Sequence, residues 1–258
     1  MKYGVTTLSI VPGRGEPADS SEMTTQLLFG DHYKVIDERA KWVKVRVALD
    51  NYECWIDRKQ HQAISEQTYL AIHQAKFTPR STELLGIVQK EDESMQPIVL
   101  GSALPFLTEG TIHLEEQKFD FKGEHTSNQQ LPKSKLVENA CMFLNAPYLW
   151  GGKSPLGIDC SGYAQMVYLL QGISLPRDAY QQAEIGQTLS FIEESEPGDL
   201  AFFDNDEGHI VHVGFMLENN YIIHASGHVR IDRIDHQGIF NVDTRTYSHK
   251  LRLIKKII

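Results

Sequence analysis

The stretch Asp159-Cys160-Ser161-Gly162-Tyr163-Ala164-Gln165-Met166-Val167-Tyr168-Leu169-Leu170-Gln171-Gly172 decides how the chain reads. Tyr163, Met166, Val167 and Leu170 recur at i, i+3, i+4 and i+7, which predicts an amphipathic helix over 160–171. Asp159 is a natural N-cap, Gly172 a natural residue just past the C-terminus, and Pro176 a stop beyond it. Cys160 therefore falls in the first helical turn. There, unpaired backbone N–H groups and the positive end of the helix dipole lower a thiol pKa. A free cysteine is more often a small core residue. Cys141, among Ala140, Met142 and Phe143, and Cys54, beside Trp55, read that way. Cys160 instead lies in a polar, close-packed turn with Asp159, Ser161 and Gly162.

Composition narrows the function classes. The chain has 258 residues, 41% of them hydrophobic and 23% charged, enough apolar material for two or three packed domains. Lys and Arg number 25 against 34 Asp and Glu, a net charge of -9, which disfavours nucleic acid or an anionic membrane as partner. Three cysteines cannot all pair, so a disulfide framework is not expected and at least one thiol is free. The first ten residues carry too short and interrupted an apolar run for a signal peptide, so a cytoplasmic protein is expected. No window reaches about 18 consecutive apolar residues, so no membrane-spanning segment is expected.

Upstream of the deciding stretch, short strands dominate. Val43, Val45 and Val47 alternate with Lys44, Arg46 and Ala48. Strands are also expected over 32–37 and, after the Asp50-Asn51 turn signal, over 52–56. Together they predict a small antiparallel barrel over 1–62. Ser65 as N-cap, with Tyr69 and Ile72 at helical spacing, predicts a connecting helix within 63–76. Short apolar runs at 84–88, 98–100 and 111–114 are punctuated by Pro79, Gly86, Pro97, Gly101, Pro105 and Gly110. They predict a second all-β unit over 77–123. A polar linker follows over 124–135. The remainder, 136–258, reads as α+β, a helical start followed by an antiparallel sheet.

A cysteine nucleophile needs an imidazole, and among eleven histidines His212 and His224 stand out. They lie on the two arms of a hairpin predicted over 210–217 and 221–225. A three-residue tip makes cross-strand partners sum to an even number, so both rings share one face. They would be diagonal neighbours with backbones ~7–8 Å apart. Cysteine, base and orienting residue then form a candidate triad.

These residues carry a resemblance. Asp159-Cys160-Ser161-Gly162, Pro197-Gly198-Asp199-Leu200-Ala201-Phe202-Phe203, His212-Val213-Gly214 and Ile223-His224-Ala225-Ser226 resemble the NlpC/P60 family of cysteine peptidases. Tyr148-Leu149-Trp150-Gly151-Gly152 matches that family's aromatic-Gly-Gly stretch. The resemblance implies a papain-like catalytic domain that cleaves peptide bonds of the bacterial cell wall. It assigns Cys160 as nucleophile, His212 as base and His224 as orienting member. Tyr148, Asp159 and Ser161 would line the site, with the Tyr148 hydroxyl and the Cys160 N–H as oxyanion donors.

The N-terminal half resembles two bacterial SH3 modules. That combination is similar to the γ-D-glutamyl-L-diamino acid endopeptidases of murein peptide recycling, which require a free N-terminal L-Ala. The resemblance implies that Glu22, Tyr52 and Asp178 read that amine, as two carboxylates and a phenol suit an ammonium. Cys54 stands where such modules have glycine in a Tyr-Glu-Gly-Trp turn. No cofactor or metal is expected.

Three rival readings compete with this one. His209-x-x-His212 and His224-x-x-x-His228 could supply ligands to a zinc amidase, but three residues along a strand place His209 and His212 on opposite faces. A non-catalytic wall-binding SH3 protein is disfavoured by the intact Cys160, His212 and His224 set. An acyltransferase is disfavoured by the absence of a membrane-facing apolar segment.

Overall fold

The computed structural model describes residues 2–127 and 131–258, which divide into two compact units. The N-terminal unit takes in the described residues up to the linker together with Trp150–Pro155. Its strands are β1 (Lys2–Val5), β2 (Ile10–Arg14), β3 (Met23–Leu28), β4 (His32–Glu38), β5 (Trp42–Val47), β6 (Glu53–Asp57) and β7 (Gln62–Ile64). They form one sheet in the order β3-β2-β6-β5-β4-β1-β7. Helix α1 (Glu66–His73) follows, then β8 (Leu85–Lys90), β9 (Met95–Val99), β10 (Thr111–Leu114) and β11 (Gln117–Phe121), a second sheet ordered β10-β11-β8-β9. Residues Lys153–Ser154, here β12, also belong to this unit.

The N-terminal unit holds two separate sheets, one before residue 65 and one after residue 84, within a single compact unit. Val11, Leu27, Tyr33, Val43, Val45, Val47, Cys54 and Ile56 form one core inside the first sheet. A second core joins Tyr3, Val5, Phe29 and Ile64 to Val88, Ile98, Ile112, Phe119 and Phe121 of the second sheet. Helix α1 contributes Tyr69 and Ile72 to that shared core, so it is a packed element and not only a connector. Ser65 caps it, accepting from the Thr68 N–H at 3.1 Å. Cys54 is explained by its neighbour: a Cβ on Gly13 would fall 2.6 Å from the Cys54 sulfur, so the thiol fills the space a side chain at 13 would take.

Segment 150–155, expected in the catalytic domain, packs with the N-terminal unit instead. The Trp150 indole donates to Glu22 Oε1 at 2.5 Å, and the Lys153 N–H to Gln26 Oε1 at 2.8 Å. Gly151 makes the approach possible. Its φ is +76°, and a Cβ there would stand 2.4 Å from the Met23 carbonyl oxygen. The linker expected over 124–135 is shorter than its composition implies. The Thr126 N–H donates to Arg80 O, and Ser134 already begins a helix. Residues 128–130 of that expected linker lie outside the described residues.

The C-terminal unit contains α2 (Ser134–Cys141), β13 (Gly157–Ile158), α3 (Cys160–Leu169) and α4 (Ala179–Gln182). Its sheet consists of β14 (Gln187–Leu189), β15 (Leu200–Asp204), β16 (Ile210–Leu217), β17 (Tyr221–Ser226), β18 (His228–Asp235), β19 (Gly238–Asn241) and β20 (Thr246–Lys256). The order is β14-β20-β15-β16-β17-β18-β19, and β19 also pairs β20, so strands β15 to β20 close on themselves. Ala201, Phe203, Met216, Ile222, Ile234, Ile239 and Ile254 pack together as one cluster of this sheet. Helix α3 packs on β16 and β17, with Tyr163 edge-on to Phe215 at 5.2 Å. Its sequence pattern predicted one buried stripe, yet all ten of its residues are buried. No helix among the described residues is long and apolar enough to cross a membrane.

Candidate active site

The start of α3 is over-determined. Asp159 has an extended backbone and accepts from the Gly162 N–H at 2.7 Å, capping the helix. The same carboxylate is held by Arg177, which donates to Oδ1 at 3.0 Å and Oδ2 at 2.5 Å. Arg177 also donates to Ser161 Oγ at 3.0 Å and is 2% exposed. Asp159 and Ser161 thus hold the loop–helix junction that carries Cys160.

The Cys160 sulfur lies 4.0 Å from the Val211 carbonyl oxygen and receives the Val213 N–H. Val211 and Val213 flank His212, and pairing of β16 with β17 begins at Gly214↔His224, one residue beyond Val213. Burial pushes the thiol up to about 12, with the Asp159 charge adding to it, against the N–H of Val213, the Arg177 charge and the N–H of Ser161. This corrects the expectation of a lowered thiol pKa. The helix N-terminus is there, but desolvation outweighs it.

The hairpin register places the histidines together. Leu217 pairs Tyr221 across the three residues 218–220, and Gly214 pairs His224, which makes His212 the diagonal neighbour of His224. His212 Nε2 and His224 Nδ1 are 2.8 Å apart, both rings nearly fully buried. On its other side His224 Nε2 meets Asp232 Oδ2 at 3.0 Å. Tyr148 is anchored by its N–H to Gly227 O at 2.9 Å, and its phenol is pushed above its usual range by burial and then by Cys160 and Asp159. It stays a hydrogen-bond donor near the sulfur.

Two groups were missed from sequence. His249 on β20 stacks on His212, with centroids 4.1 Å apart and planes 24° apart. Asp232 is 2% exposed on β18.

Residues 145–247 match the NlpC/P60 family, and residues 13–60 match the bacterial dipeptidyl-peptidase Sh3 domain. The chain carries an NlpC/P60 peptidase domain and a bacterial dipeptidyl-peptidase SH3 domain. It is 28% identical over 228 residues to a γ-D-glutamyl-L-lysine dipeptidyl-peptidase of Bacillus cereus, covering 80% of this chain and 68% of that one. It is 29% identical over 248 residues to dipeptidyl-peptidase 6 of Lysinibacillus sphaericus, covering 86% and 88%. An NlpC/P60 family protein of Bacillus cereus shares the fold, with a TM-score of 0.82 at 21% identity over 99% of each chain. An NlpC/P60 endopeptidase of Photobacterium damselae subsp. piscicida does so with a TM-score of 0.75 at 16% identity, covering 97% of this chain and 70% of that one.

Among the described residues the zinc-ligand set that the sequence offers does not assemble. His209 is exposed and faces Glu207 at 3.4 Å. The imidazoles that do converge are His212, His224 and His249, whose nitrogens lie within 4.8 Å of one another. The His212–His224 contact is a hydrogen bond.

The residues expected to read an amine are placed unit by unit. Glu22 precedes β3 and Tyr52 precedes β6. Both strands pair antiparallel with β2, so the two residues share one end of the first sheet. Asp178, in the C-terminal unit, is the N-cap of α4, its N–H donating to Gln181 Oε1 at 3.2 Å.

The buried imidazoles also set the acid stability. Burial draws His32 down to about 4, with His73 and Arg80 adding to it, and draws His249 down to about 4. His61, His212 and His224 are lowered as well, all chiefly by burial. An unfolded histidine takes up its proton near pH 6.5, so between pH 6.5 and 4 the unfolded chain binds more protons than the folded one. Stability is full above that window and is lost as pH falls through it. Thermal melts should show Tm lower by about 5 °C or more at pH 4.5 than at pH 7.5. A Tm unchanged or higher at pH 4.5 would contradict this.

Proposed function

We propose that this NlpC/P60 peptidase is a cysteine endopeptidase that hydrolyses the γ-D-glutamyl–L-diamino acid bond of cell-wall muropeptides with a free N-terminal L-Ala, a reaction of murein peptide recycling. The observation that carries the reading is the Cys160 sulfur lodged against the backbone on both sides of His212, whose ring is hydrogen-bonded to His224. The name of the γ-D-glutamyl-L-lysine dipeptidyl-peptidase relative supports the bond cleaved.

In this reading His212 takes the Cys160 proton as the sulfur attacks the γ-carbonyl. The carbonyl oxygen becomes an oxyanion, met by the Cys160 N–H and the Tyr148 hydroxyl. The imidazolium then returns its proton to the leaving amine of the diamino acid, and a thioester remains. Water, deprotonated by His212, hydrolyses the thioester and restores the thiol. His224 orients His212 throughout. The amine-reading role falls to Glu22, Tyr52 and Asp178 by their chemistry, a carboxylate suiting an ammonium by charge and a phenol by a hydrogen bond.

The test compares L-Ala-γ-D-Glu-diamino acid tripeptide with its N-acetylated form. Acetylation should lower kcat/KM by about 100-fold or more, since a charge-assisted site loses its cation. Equal cleavage of both would remove the amine site from the proposal.

A further inference from the structure

Asp232 lies outside every motif that pointed to the site, yet its carboxylate is completely used. On β18 it pairs Ile222 of β17, two steps along the ladder from the His224↔Arg230 pair and so on the same face. It is 2% exposed. Oδ2 accepts from Arg230 Nε at 2.6 Å and lies 3.0 Å from His224 Nε2, while Oδ1 accepts from Arg230 Nη2 at 2.8 Å. Arg230 Nη2 reaches on to Asp243 at 2.9 Å. A carboxylate buried this deeply is costly unless paired and hydrogen-bonded, and here both conditions are met.

The pairing has a directional consequence. An ionised carboxylate only accepts, so the proton between Asp232 and His224 sits on His224 Nε2. A neutral imidazole carries one N–H, so His224 Nδ1 is then a bare acceptor. The 2.8 Å bond to His212 must run the other way, from His212 Nε2–H into His224 Nδ1. His212 is left with Nδ1 as its only basic nitrogen. The opposite tautomer of His224 would aim a lone pair at the carboxylate, two acceptors 3.0 Å apart. An imidazolium at His224 would donate from both nitrogens, but burial opposes it, holding the ring below its ordinary pKa despite Asp232.

We infer that Asp232 is a positioning residue of the active site: through His224 it fixes the tautomer of His212, so that Nδ1 is the nitrogen that takes the Cys160 proton. The inference rests on the reading of His212 as base. Arg230, clamped to Asp243, keeps the carboxylate in place and ionised.

The test uses the full chain with 15N-labelled histidine, whose long-range proton–nitrogen spectra report which ring nitrogen carries hydrogen. The wild type should show Nε2–H at both His212 and His224. In Asp232→Asn the side-chain amide can donate to His224 Nε2. His224 should shift to Nδ1–H and His212 to Nδ1–H with it. Muropeptide kcat should then fall by about 10³–10⁴-fold with KM changed little. A wild-type spectrum with hydrogen on Nδ1 of either ring overturns the inference, and so does an Asp232→Asn chain that keeps wild-type kcat or wild-type tautomers. The wild-type spectrum decides the matter even if Asp232→Asn fails to fold. A wild type that cleaves no muropeptide would strike the functional proposal, whereas the tautomers test Asp232 on their own.

Discussion

Cys160→Ala should abolish hydrolysis of the tripeptide, a loss of roughly 10⁵-fold or more in kcat, while leaving its binding unchanged. The size follows from what is removed. Without the sulfur there is no thioester, and what remains is the modest assistance of oxyanion donors to direct attack by water. Binding should survive because the removed atom is small, 7% exposed on the intact residue, and not among the groups proposed to hold the ammonium. Progress curves with purified wild type and Cys160→Ala give the rates, and calorimetric titration with a non-hydrolysable tripeptide gives the binding. Retained hydrolysis would replace the cysteine mechanism by one that needs no thiol. Loss of binding in parallel would show that Cys160 holds the fold of the site and not only its chemistry.

The second large effect is on stability. Arg177→Met should lower the unfolding free energy of the C-terminal unit by about 3–5 kcal/mol. Arg177 is 2% exposed and spends two nitrogens on Asp159 and one of them also on Ser161. Its removal leaves the Asp159 carboxylate buried beside a neutral side chain, and that uncompensated charge is the cost. Because Asp159 caps α3, the same change loosens the turn that carries Cys160, so activity should fall with stability. Thermal unfolding followed by calorimetry should register a Tm lower by roughly 10 °C. The double change Asp159→Asn with Arg177→Met should recover part of the loss, since the buried charge then goes with its partner. An Arg177→Met chain within about 1 kcal/mol of wild type would contradict this account of the junction.

Much of the site was legible because its rules are local. An N-cap before a 3.6-residue repeat located Cys160 on α3, and the parity of a hairpin with a three-residue tip located His224 against His212. What escaped the sequence was decided by tertiary burial. The helix-start argument for an activated thiol was sound as far as it went, but no local pattern reveals that the sulfur is buried. Strand β18 reverses its apparent pattern. Val229, Ile231 and Ile234 read as the apolar positions, yet Ile231 is 42% exposed and Asp232 is 2% exposed. A buried aspartate is tolerable only with its partners, and those stand on another strand and two residues away. His249 arrives from β20, whose alternation of Tyr247, Leu251 and Leu253 with polar residues marks a strand but not the neighbours it pairs with. The fold shows the same division. Individual strands and α1 were predictable from alternation, caps and turns, while the fusion of the two N-terminal sheets through one shared core was not. Nor was the docking of 150–155 on the N-terminal unit, which depends on Gly151 meeting the Met23 backbone.

The most direct measurement is mass spectrometry of the products formed from L-Ala-γ-D-Glu-diamino acid tripeptides, with the diamino acid as meso-diaminopimelate or lysine. The predicted result is release of the dipeptide L-Ala-D-Glu and the free diamino acid by the wild type and not by Cys160→Ala. Cleavage at any other bond, or the same dipeptide released equally by Cys160→Ala, would contradict the account.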